Sequence, residues 1–242
     1  MQDSQARCII TDSLNDIKLR KIDSTFSLLI LNPDSSIKEE IITQSFNSEY
    51  NNYEATLRKI SLLVYTTGTT GLKKGVILTN RSVINATGAI VKTMQISKRP
   101  TEIISMPITR SFALARMRFV FQLHGTVVFS RGLTNPALFI KTIIDNGVNG
   151  FGMVPSGIRI LVNRFSENLH DLTDQLDYIE MGSSSFRKVE KIELQNLLHS
   201  TKIMMHYGLT EASRSTFLNF NDSDNLRSVG KSTPGVKIAI VD

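Results

Sequence analysis

The chain has 242 residues, of which 41% are hydrophobic and 21% charged, and its single cysteine is Cys8. This length suits one large domain or two small ones, and the apolar fraction is sufficient for a buried core. The composition excludes bulk disorder and a disulfide scaffold, and no apolar stretch reaches the ~18 residues of a membrane span. Because no basic region leads into a long apolar one near the start, we expect no signal peptide and a cytoplasmic location.

Charge is distributed unevenly along the chain. The net charge is +6, yet residues 1–60 carry 7 basic and 9 acidic side chains. Residues 73–131 carry 10 basic side chains and one acidic side chain, Glu102. Such a block either attracts anions, for example a polyphosphate or a nucleic acid, or forms a solvated basic face. Nucleic acid is the less favoured partner, because aromatic residues do not alternate with these charges as single-strand stacking requires.

Short apolar runs alternate with helical patterns along the chain, which is typical of β-α-β units. The candidate strands are Thr25–Leu31, Ile60–Thr66, Thr101–Met106, Thr126–Phe129, Val148–Met153, Asp177–Met181, Thr201–Met205 and Val236–Val241. The candidate helices are one capped by Asn80, two opened by Asn135-Pro136 and Pro155, and one over residues 186–199. This alternation predicts an α/β fold, with a mostly parallel β-sheet and helices on both faces. Binding sites of such sheets lie at the carboxyl ends of the strands.

The segment LLVYTTGTTGLKKGVIL, residues 62–78, carries the strongest chemical signal. A predicted strand reaches Tyr65, and small hydroxylated residues and glycines follow before two lysines. Glycines let backbone N–H groups turn towards an anion, threonine hydroxyls add donors, and a lysine adds a mobile charge. The spacing differs from the Walker A motif, in which lysine directly follows the second glycine. The segment is therefore a phosphate cradle or, alternatively, a polar hairpin.

This segment also resembles a known family. YTTGTTGLKKGV, residues 65–76, is similar to the signature loop of the acyl-adenylate-forming, AMP-binding enzymes, which include the acyl-CoA synthetases. Thr67 stands where that loop usually has Ser, Lys73 where it usually has Pro, and Lys74 matches its signature lysine. HYGLTEAS, residues 206–213, resembles the family's Tyr-Gly-x-Thr-Glu motif.

Four further stretches resemble the same family in the same chain order, at residues 106–112, 150–156, 181–186 and 229–242. The resemblance implies that residues 60–242 are the ATP- and AMP-binding core, the central part of the family's large N-terminal domain. Residues 1–59 would be the tail of the preceding region, and the family's C-terminal domain would be absent. Sheet edges left exposed in this way favour self-association, or completion by a missing domain or another chain.

The resemblance implies a reaction in which ATP activates a small carboxylic acid, followed by transfer to coenzyme A or a carrier-protein thiol. Lys74, Thr210 and Glu211 would be the catalytic residues, with Thr210 on the α-phosphate and Glu211 on Mg²⁺, which prefers oxygen ligands. The residues implied to bind the β- and γ-phosphates are Thr66, Thr67, Gly68, Thr69, Thr70, Gly71, Lys74 and Gly75. The residues implied to line adenine are Gly182, Ser183, Ser184, His206, Tyr207 and Gly208.

The acid pocket has candidates on two segments. They are Arg110, Phe112, Phe151, Gly152 and Met153. Arg110 falls where many acyl-CoA synthetases have histidine, and a guanidinium there can pair with a second carboxylate or a hydroxyl of the acid. The apolar candidates fit a hydrophobic core equally well. Adenylation domains of peptide synthetases that activate α-amino acids place an Asp in this region for the amine. No Asp occurs between Met94 and Ala137, so the resemblance implies that an α-amino acid is a less favoured substrate.

Three functions are compatible with these patterns. The first is an AMP-forming carboxylate ligase of the acid-thiol type. The second is a non-catalytic nucleotide-binding remnant, or a subunit completed by another chain. The third, least favoured, is an α/β protein whose basic stretch binds nucleic acid.

Overall fold

The structure of the chain is a computed structural model, and the chain divides into two compact units, Met1–Ala55 and Thr56–Asp242. The residues that it describes are 8–12, 27–31, 37–41, 57–67, 73–221 and 225–241. In the first unit, three strands form one sheet, namely β1 (Cys8–Asp12), β2 (Ser27–Leu31) and β3 (Ile37–Ile41). The β1–β2 pair is parallel and the β2–β3 pair is antiparallel. Of these three strands, only β2 corresponds to a predicted strand.

A two-stranded antiparallel hairpin opens the second unit. Strand β4 (Ile60–Thr67) pairs with β5 (Lys73–Thr79), and Tyr65 lies opposite Gly75. The predicted strand from Ile60 is confirmed, whereas β5 is a strand that the sequence analysis did not predict. The glycine- and threonine-rich segment therefore connects the two arms of a hairpin.

Five helices lie within the part of the second unit that the structure describes. They are α1 (Asn80–Met94), α2 (Ser111–Gln122), α3 (Pro136–Asp145), α4 (Pro155–Asp171) and α5 (Lys188–Leu197). None of these helices combines the length and the apolar character that crossing a membrane requires. Helix α2 has no counterpart among the predicted helices.

The helix starts follow ordinary capping chemistry. Thr79, rather than the predicted Asn80, caps α1, because its hydroxyl oxygen accepts a 3.2 Å hydrogen bond from the Ser82 backbone N–H. Asn135 caps α3 as predicted, its Oδ1 accepting a 3.1 Å bond from the Leu138 N–H. Proline occupies the first position of both α3 and α4, where its missing N–H costs no hydrogen bond.

The main sheet of the second unit has seven strands. They are β6 (Thr101–Ile104), β7 (Thr126–Phe129), β8 (Gly150–Met153), β9 (Tyr178–Met181), β10 (Lys202–Tyr207), β11 (Thr216–Asn219) and β12 (Lys231–Ser232). Their order is β12-β11-β10-β9-β8-β6-β7. The pairs between β10 and β7 in this order are parallel, and β11 and β12 add antiparallel pairs at one edge. The prediction of a mostly parallel sheet is confirmed.

Helices pack on both faces of this sheet, as predicted. Phe139 of α3, Leu161 of α4 and Leu194 of α5 share one buried cluster with Ile179 of β9. On the other face, the α1 and α2 side chains Ile90, Met94, Phe119 and Val120 pack in a second cluster with Tyr178. Adjacent residues of β9 thus face opposite layers, because successive strand side chains alternate in direction.

The predicted strand Val236–Val241 is wrong. This segment has no regular secondary structure, and Ile238 and Ile240 are 55% and 98% exposed. Its alternating apolar pattern fits a strand, but a strand also needs hydrogen bonds from a neighbour, and no strand pairs with it among the residues that the structure describes. The last pairing strand, β12, ends at Ser232, ahead of the turn at Pro234 and Gly235.

Candidate functional site

A cavity of about 400 Å³ lies at the carboxyl ends of the parallel strands β9 and β10. The loop after β9 contributes Ser183, Ser184 and Ser185, and the end of β10 contributes His206 and Tyr207. Gly208 and Leu209 continue the wall beyond the strand. The structure therefore brings together five of the six residues that the resemblance assigns to adenine, at the sheet edge where parallel sheets bind ligands.

The sixth of those residues, Gly182, lies against the His206 ring. A Cβ atom at Gly182 would stand 2.1 Å from His206 Cε1, closer than any side chain can approach. The ring also contacts Phe112, whose ring centroid lies 4.7 Å away in an edge-to-face arrangement. Glycine at position 182 therefore makes room for the imidazole that lines the cavity.

Thr210 and Glu211 lie in the loop that follows β10. The Thr210 hydroxyl oxygen is 3.4 Å from that of Ser111, the first residue of α2. Glu211 is exposed and lines a separate cavity of about 580 Å³, together with Ser82 and Lys92 of α1. The motif HYGLTE is thus divided between two cavities.

Glu211 does not belong to a cluster of metal-ligating side chains among the described residues. Among the described residues, no group of three or more His, Cys, Asp or Glu side chains could hold a metal ion. One exposed carboxylate still fits Mg²⁺, which usually keeps several waters and takes its remaining ligands from one or two carboxylates and substrate phosphates. The donor set at Glu211 is compatible with an ion delivered together with a nucleotide, and not with a resident metal centre.

The phosphate-binding candidates are only partly described. Residues 68–71 and the side chain of Thr67 lie outside the described residues. Thr66 at the end of β4 lies opposite Lys74 of β5, and both Lys74 and Gly75 are exposed. Thr66 and Lys73 line a cavity of about 410 Å³ that also includes Arg110. The structure thus places the base of the predicted phosphate loop next to the candidate arginine of the acid pocket.

The five acid-pocket candidates do not line one cavity in the described part of the chain. Arg110 is exposed, whereas Phe112 is buried against His206. A Cβ atom at Gly152 would lie 3.0 Å from Arg116 Cγ, so this glycine lies on the α2 side of the sheet. Phe151 and Met153 belong to the core on the opposite side, where the Phe151 ring packs edge-to-face on Phe139 at 5.7 Å.

Beside the first cavity lies a cluster of buried charges that the sequence analysis missed. The Arg116 side chain is fully buried between two carboxylates from different strands. Its Nε donates to Glu102 Oε1 at 2.8 Å and its Nη1 to Glu180 Oε2 at 2.5 Å. The Tyr178 hydroxyl donates to Glu102 Oε2 at 2.7 Å. Every charge in this part of the cluster is paired, as burial requires.

The second oxygen of Glu180 completes the cluster. Its Oε1 accepts a hydrogen bond from Arg214 Nε at 2.8 Å, and His206 Nδ1 lies 2.6 Å from the same oxygen. Burial by itself raises the pKa of Glu180, but the Arg214 and Arg116 guanidiniums and the His206 ring outweigh it and hold that pKa well below its usual value. Burial, reinforced by Arg214, lowers the pKa of His206 despite the attraction of Glu180. Glu180 is therefore ionised and His206 neutral near pH 7.

One sequence signal pointed to this cluster. Glu180 interrupts an otherwise apolar buried strand, YIEM, and Arg116 interrupts the apolar surface of α2. A charged residue inside a buried element requires a partner of opposite charge, so either residue alone predicts a hidden ion pair.

Comparison with known proteins identifies the family of this chain. The family model described as "AMP-binding enzyme" matches residues 1–242, the whole chain, and the chain therefore belongs to the AMP-binding enzyme family. This confirms the resemblance carried by the signature loop and by HYGLTEAS.

The individual relatives share only a modest fraction of their sequence with this chain. The phenylacetyl-CoA ligase epaB of Aspergillus niger is 24% identical over 182 residues, which are 74% of this chain and 34% of that protein. The ATP-bound structure of MatB from Rhodopseudomonas palustris superposes with a TM-score of 0.76 at 17% identity, covering 97% of this chain and 46% of that one. O-succinylbenzoate coenzyme A synthetase from Bacillus subtilis, in complex with ATP and magnesium ion, gives a TM-score of 0.72 at 19% identity, over 96% and 46% of the two chains. The chain thus spans between a third and a half of the proteins that it resembles.

Proposed function

We propose that residues 60–242 are the ATP- and AMP-binding core of a ligase that activates a carboxylic acid as its acyl-adenylate. The supporting observation is the cavity at the ends of β9 and β10, which gathers Ser183, Ser184 and the HYG residues of two separate motifs. The family match over the whole chain supports a nucleotide as the ligand of this cavity. The relatives include an enzyme named as a CoA ligase, which favours a thioester as the final product.

The chemistry joins two anions. One oxygen of the carboxylate forms a bond to the α-phosphorus of ATP, and the bond from that phosphorus to the β-bridging oxygen breaks. The bond electrons leave with pyrophosphate. In a second step, the sulfur of a deprotonated thiol attacks the acyl carbon, and AMP leaves with the electrons of the acyl–oxygen bond. Such a reaction is accelerated mainly by holding the reactants in line and by neutralising the phosphate charges.

Under this proposal, three places in the chain share these tasks. Tyr207 and the serines that follow β9 hold the base in the first cavity. Lys74 and the loop between β4 and β5 hold the β- and γ-phosphates until they leave as pyrophosphate. The Thr210 hydroxyl, already beside α2, donates to the α-phosphate. Glu211 holds Mg²⁺, which when bound neutralises phosphate charge.

The acid binds beside the base of the hairpin in this proposal. Arg110 is exposed and shares a cavity with Thr66, so it can meet a polar group of the incoming acid. Phe112 is covered by His206 and Arg214, and Phe151 lies in the core of the other face. Among the five candidates, Arg110 is therefore the residue whose side chain is available to the acid.

ATP–pyrophosphate exchange tests the proposal. The chain is incubated with ATP, Mg²⁺, labelled pyrophosphate and single carboxylic acids of different size, and a reaction without acid is the blank. We expect label to enter ATP only when a suitable acid is present. The Glu211→Gln variant should lose this exchange, and the Lys188→Ala variant, which changes an exposed side chain of α5, should keep it.

The alternatives predict different results. Binding of ATP without exchange for any acid would favour the nucleotide-binding remnant, or a subunit that another chain completes. An absence of ATP binding, together with tight and salt-sensitive binding of DNA or RNA, would contradict the proposal and favour the third function.

A further inference from the structure

Glu180 joins three separate elements through one carboxylate. Its Oε2 binds Arg116 of α2, and its Oε1 contacts both His206 of β10 and Arg214 of the loop after β10. The Glu180 side chain is fully buried and is not among the residues that line the adjacent cavity. Its contacts therefore reach the cavity only through other side chains.

The contact with His206 connects Glu180 to the cavity wall, because His206 lines the cavity. The imidazole contacts Gly182 and the Phe112 ring, and its Nδ1 lies 2.6 Å from Glu180 Oε1. The neighbouring Phe217 ring is 6.0 Å away, also edge-on. Apolar contacts alone do not determine which ring nitrogen carries the proton. The Glu180 carboxylate lies 2.6 Å from Nδ1, off the angle of a hydrogen bond, and its negative charge favours the tautomer with the proton on Nδ1 because it repels a lone pair there.

The contact with Arg214 connects Glu180 to the loop that carries Thr210 and Glu211. Arg214 has φ 33°, in the left-handed region that a non-glycine residue adopts only under constraint. Its guanidinium is fixed by Glu180 and by the Phe112 ring, 4.8 Å from the ring centroid. Its carbonyl oxygen accepts a 2.9 Å hydrogen bond from the Thr233 hydroxyl. Glu180 is thus one of the anchors that hold this loop in a strained conformation.

We propose that Glu180 is the positioning residue of the nucleotide site, acting through His206 and Arg214 without touching the nucleotide. The inference rests on the proposed function, because it assigns the cavity to a nucleotide. Glu102 does not share this positioning role, although it is equally buried and binds the same Arg116. The other partner of Glu102 is Tyr178, a residue of the core beneath α1 and α2. Glu102 therefore serves as a matched control for a purely structural ion pair.

The first experiment compares Glu180→Gln with Glu102→Gln in the full chain. Affinity for AMP and ATP is measured by titration calorimetry, and stability by urea unfolding. Both variants should lose stability. We expect Glu180→Gln to weaken AMP binding about tenfold or more, as loss of a charged hydrogen bond does, with Glu102→Gln within about twofold of the unmodified chain. Equal weakening by both variants would overturn the inference, because the effect would then follow from the shared loss of structure.

A second experiment is independent of nucleotide binding and uses a conservative variant, Glu180→Asp, that keeps the charge. The ¹⁵N resonances of the His206 ring report its tautomer, and they are recorded for the unmodified chain, Glu180→Asp and Glu102→Gln. A single Nδ1-protonated form in the unmodified chain and in Glu102→Gln, and a mixture in Glu180→Asp, is expected. An unchanged tautomer in Glu180→Asp would overturn the positioning role. If the tautomer changes as expected but the unmodified chain binds neither ATP nor AMP, the ordering of His206 stands and the proposed function fails.

Discussion

The hairpin of β4 and β5 and the cavity at β9 and β10 are built in opposite ways, although both belong to the proposed nucleotide site. The hairpin has two strands, and its residues Lys74 and Gly75 are exposed. The cavity stands on the middle strands of a seven-stranded sheet, beside carboxylates that are fully buried. In the proposed site, a loop that binds phosphate through its backbone and a mobile lysine needs no buried framework. The cavity wall, by contrast, is proposed to depend on buried residues that contact no ligand.

Because of this difference, substitutions in the two regions should affect nucleotide affinity and the free energy of unfolding to different extents. A substitution in the hairpin should change nucleotide affinity and leave unfolding almost unaffected. A substitution in the buried cluster should lower stability, and it should weaken nucleotide affinity only where the lost contact reaches the cavity wall, as at Glu180. The following three substitutions test this separation in order of decreasing effect.

The largest effect is expected for Arg116→Met. Removing the guanidinium leaves Glu102 and Glu180 facing each other without the cation between them, and loss of one partner of a buried ion pair costs about 3–5 kcal/mol. Urea unfolding measures this loss. Arg118→Met on the same helix is the control, because Arg118 is only half-buried and has no ion pair among the described residues. Equal losses for the two variants would show that the ion pairs do not support the fold.

An intermediate effect is expected for Gly182→Ala. The new Cβ atom would overlap the His206 ring and displace it, at a cost of about 1–3 kcal/mol and with weaker AMP binding. Gly88→Ala in α1 is the matched control. No atom lies within 4 Å of a Cβ placed there, and alanine favours a helix, so this variant should be up to about 1 kcal/mol more stable. Thermal unfolding and AMP titration together decide the outcome, and unchanged AMP affinity in Gly182→Ala would contradict the position assigned to His206.

The smallest effect on the fold is expected for Lys74→Ala. Its side chain is exposed on β5, so unfolding should change by less than about 0.5 kcal/mol. ATP affinity should fall about tenfold because a charge-assisted contact to the leaving phosphates is lost, while AMP affinity should stay unchanged. Titration with both nucleotides measures this difference, with Lys188→Ala as the control. Equal weakening for ATP and AMP would contradict the phosphate role of Lys74.

The parallel strands could be predicted because their signal is local. Buried strands such as GFGM and YIEM are short and mainly apolar, and a predicted helix follows each of them. Helix α2 was missed because its sequence, SFALARMRFVFQ, has arginine at a fully buried position and so lacks a clean apolar stripe. The segment Val236–Val241 was predicted as a strand because its pattern has a period of two. Pairing decides whether such a segment forms a strand, and pairing is not local.

The candidate site divides in the same way. The residues around the first cavity could be predicted because two contiguous motifs, MGSSSF and HYGLTEAS, follow neighbouring strands. The ion pairs beside it join residues far apart in the chain: Arg116 and Glu180 are separated by 64 positions, and Glu180 and Arg214 by 34. The sequence indicates that each of these charges needs a partner. Which charges meet depends on the order of the strands and on the placement of α2, and both are set by tertiary packing.

The shared carboxylate of Glu180 also has an evolutionary consequence. One side chain contacts Arg116, His206 and Arg214. A substitution at any of these three positions therefore changes the effect on stability of substitutions at the other two. A mutational library of this chain should therefore accept neutral residues at positions 116, 180 and 214 mainly in combinations that remove opposite charges together. Descendants of such a protein would keep the whole set of charges or replace it in linked steps, and a single intermediate would be selected against.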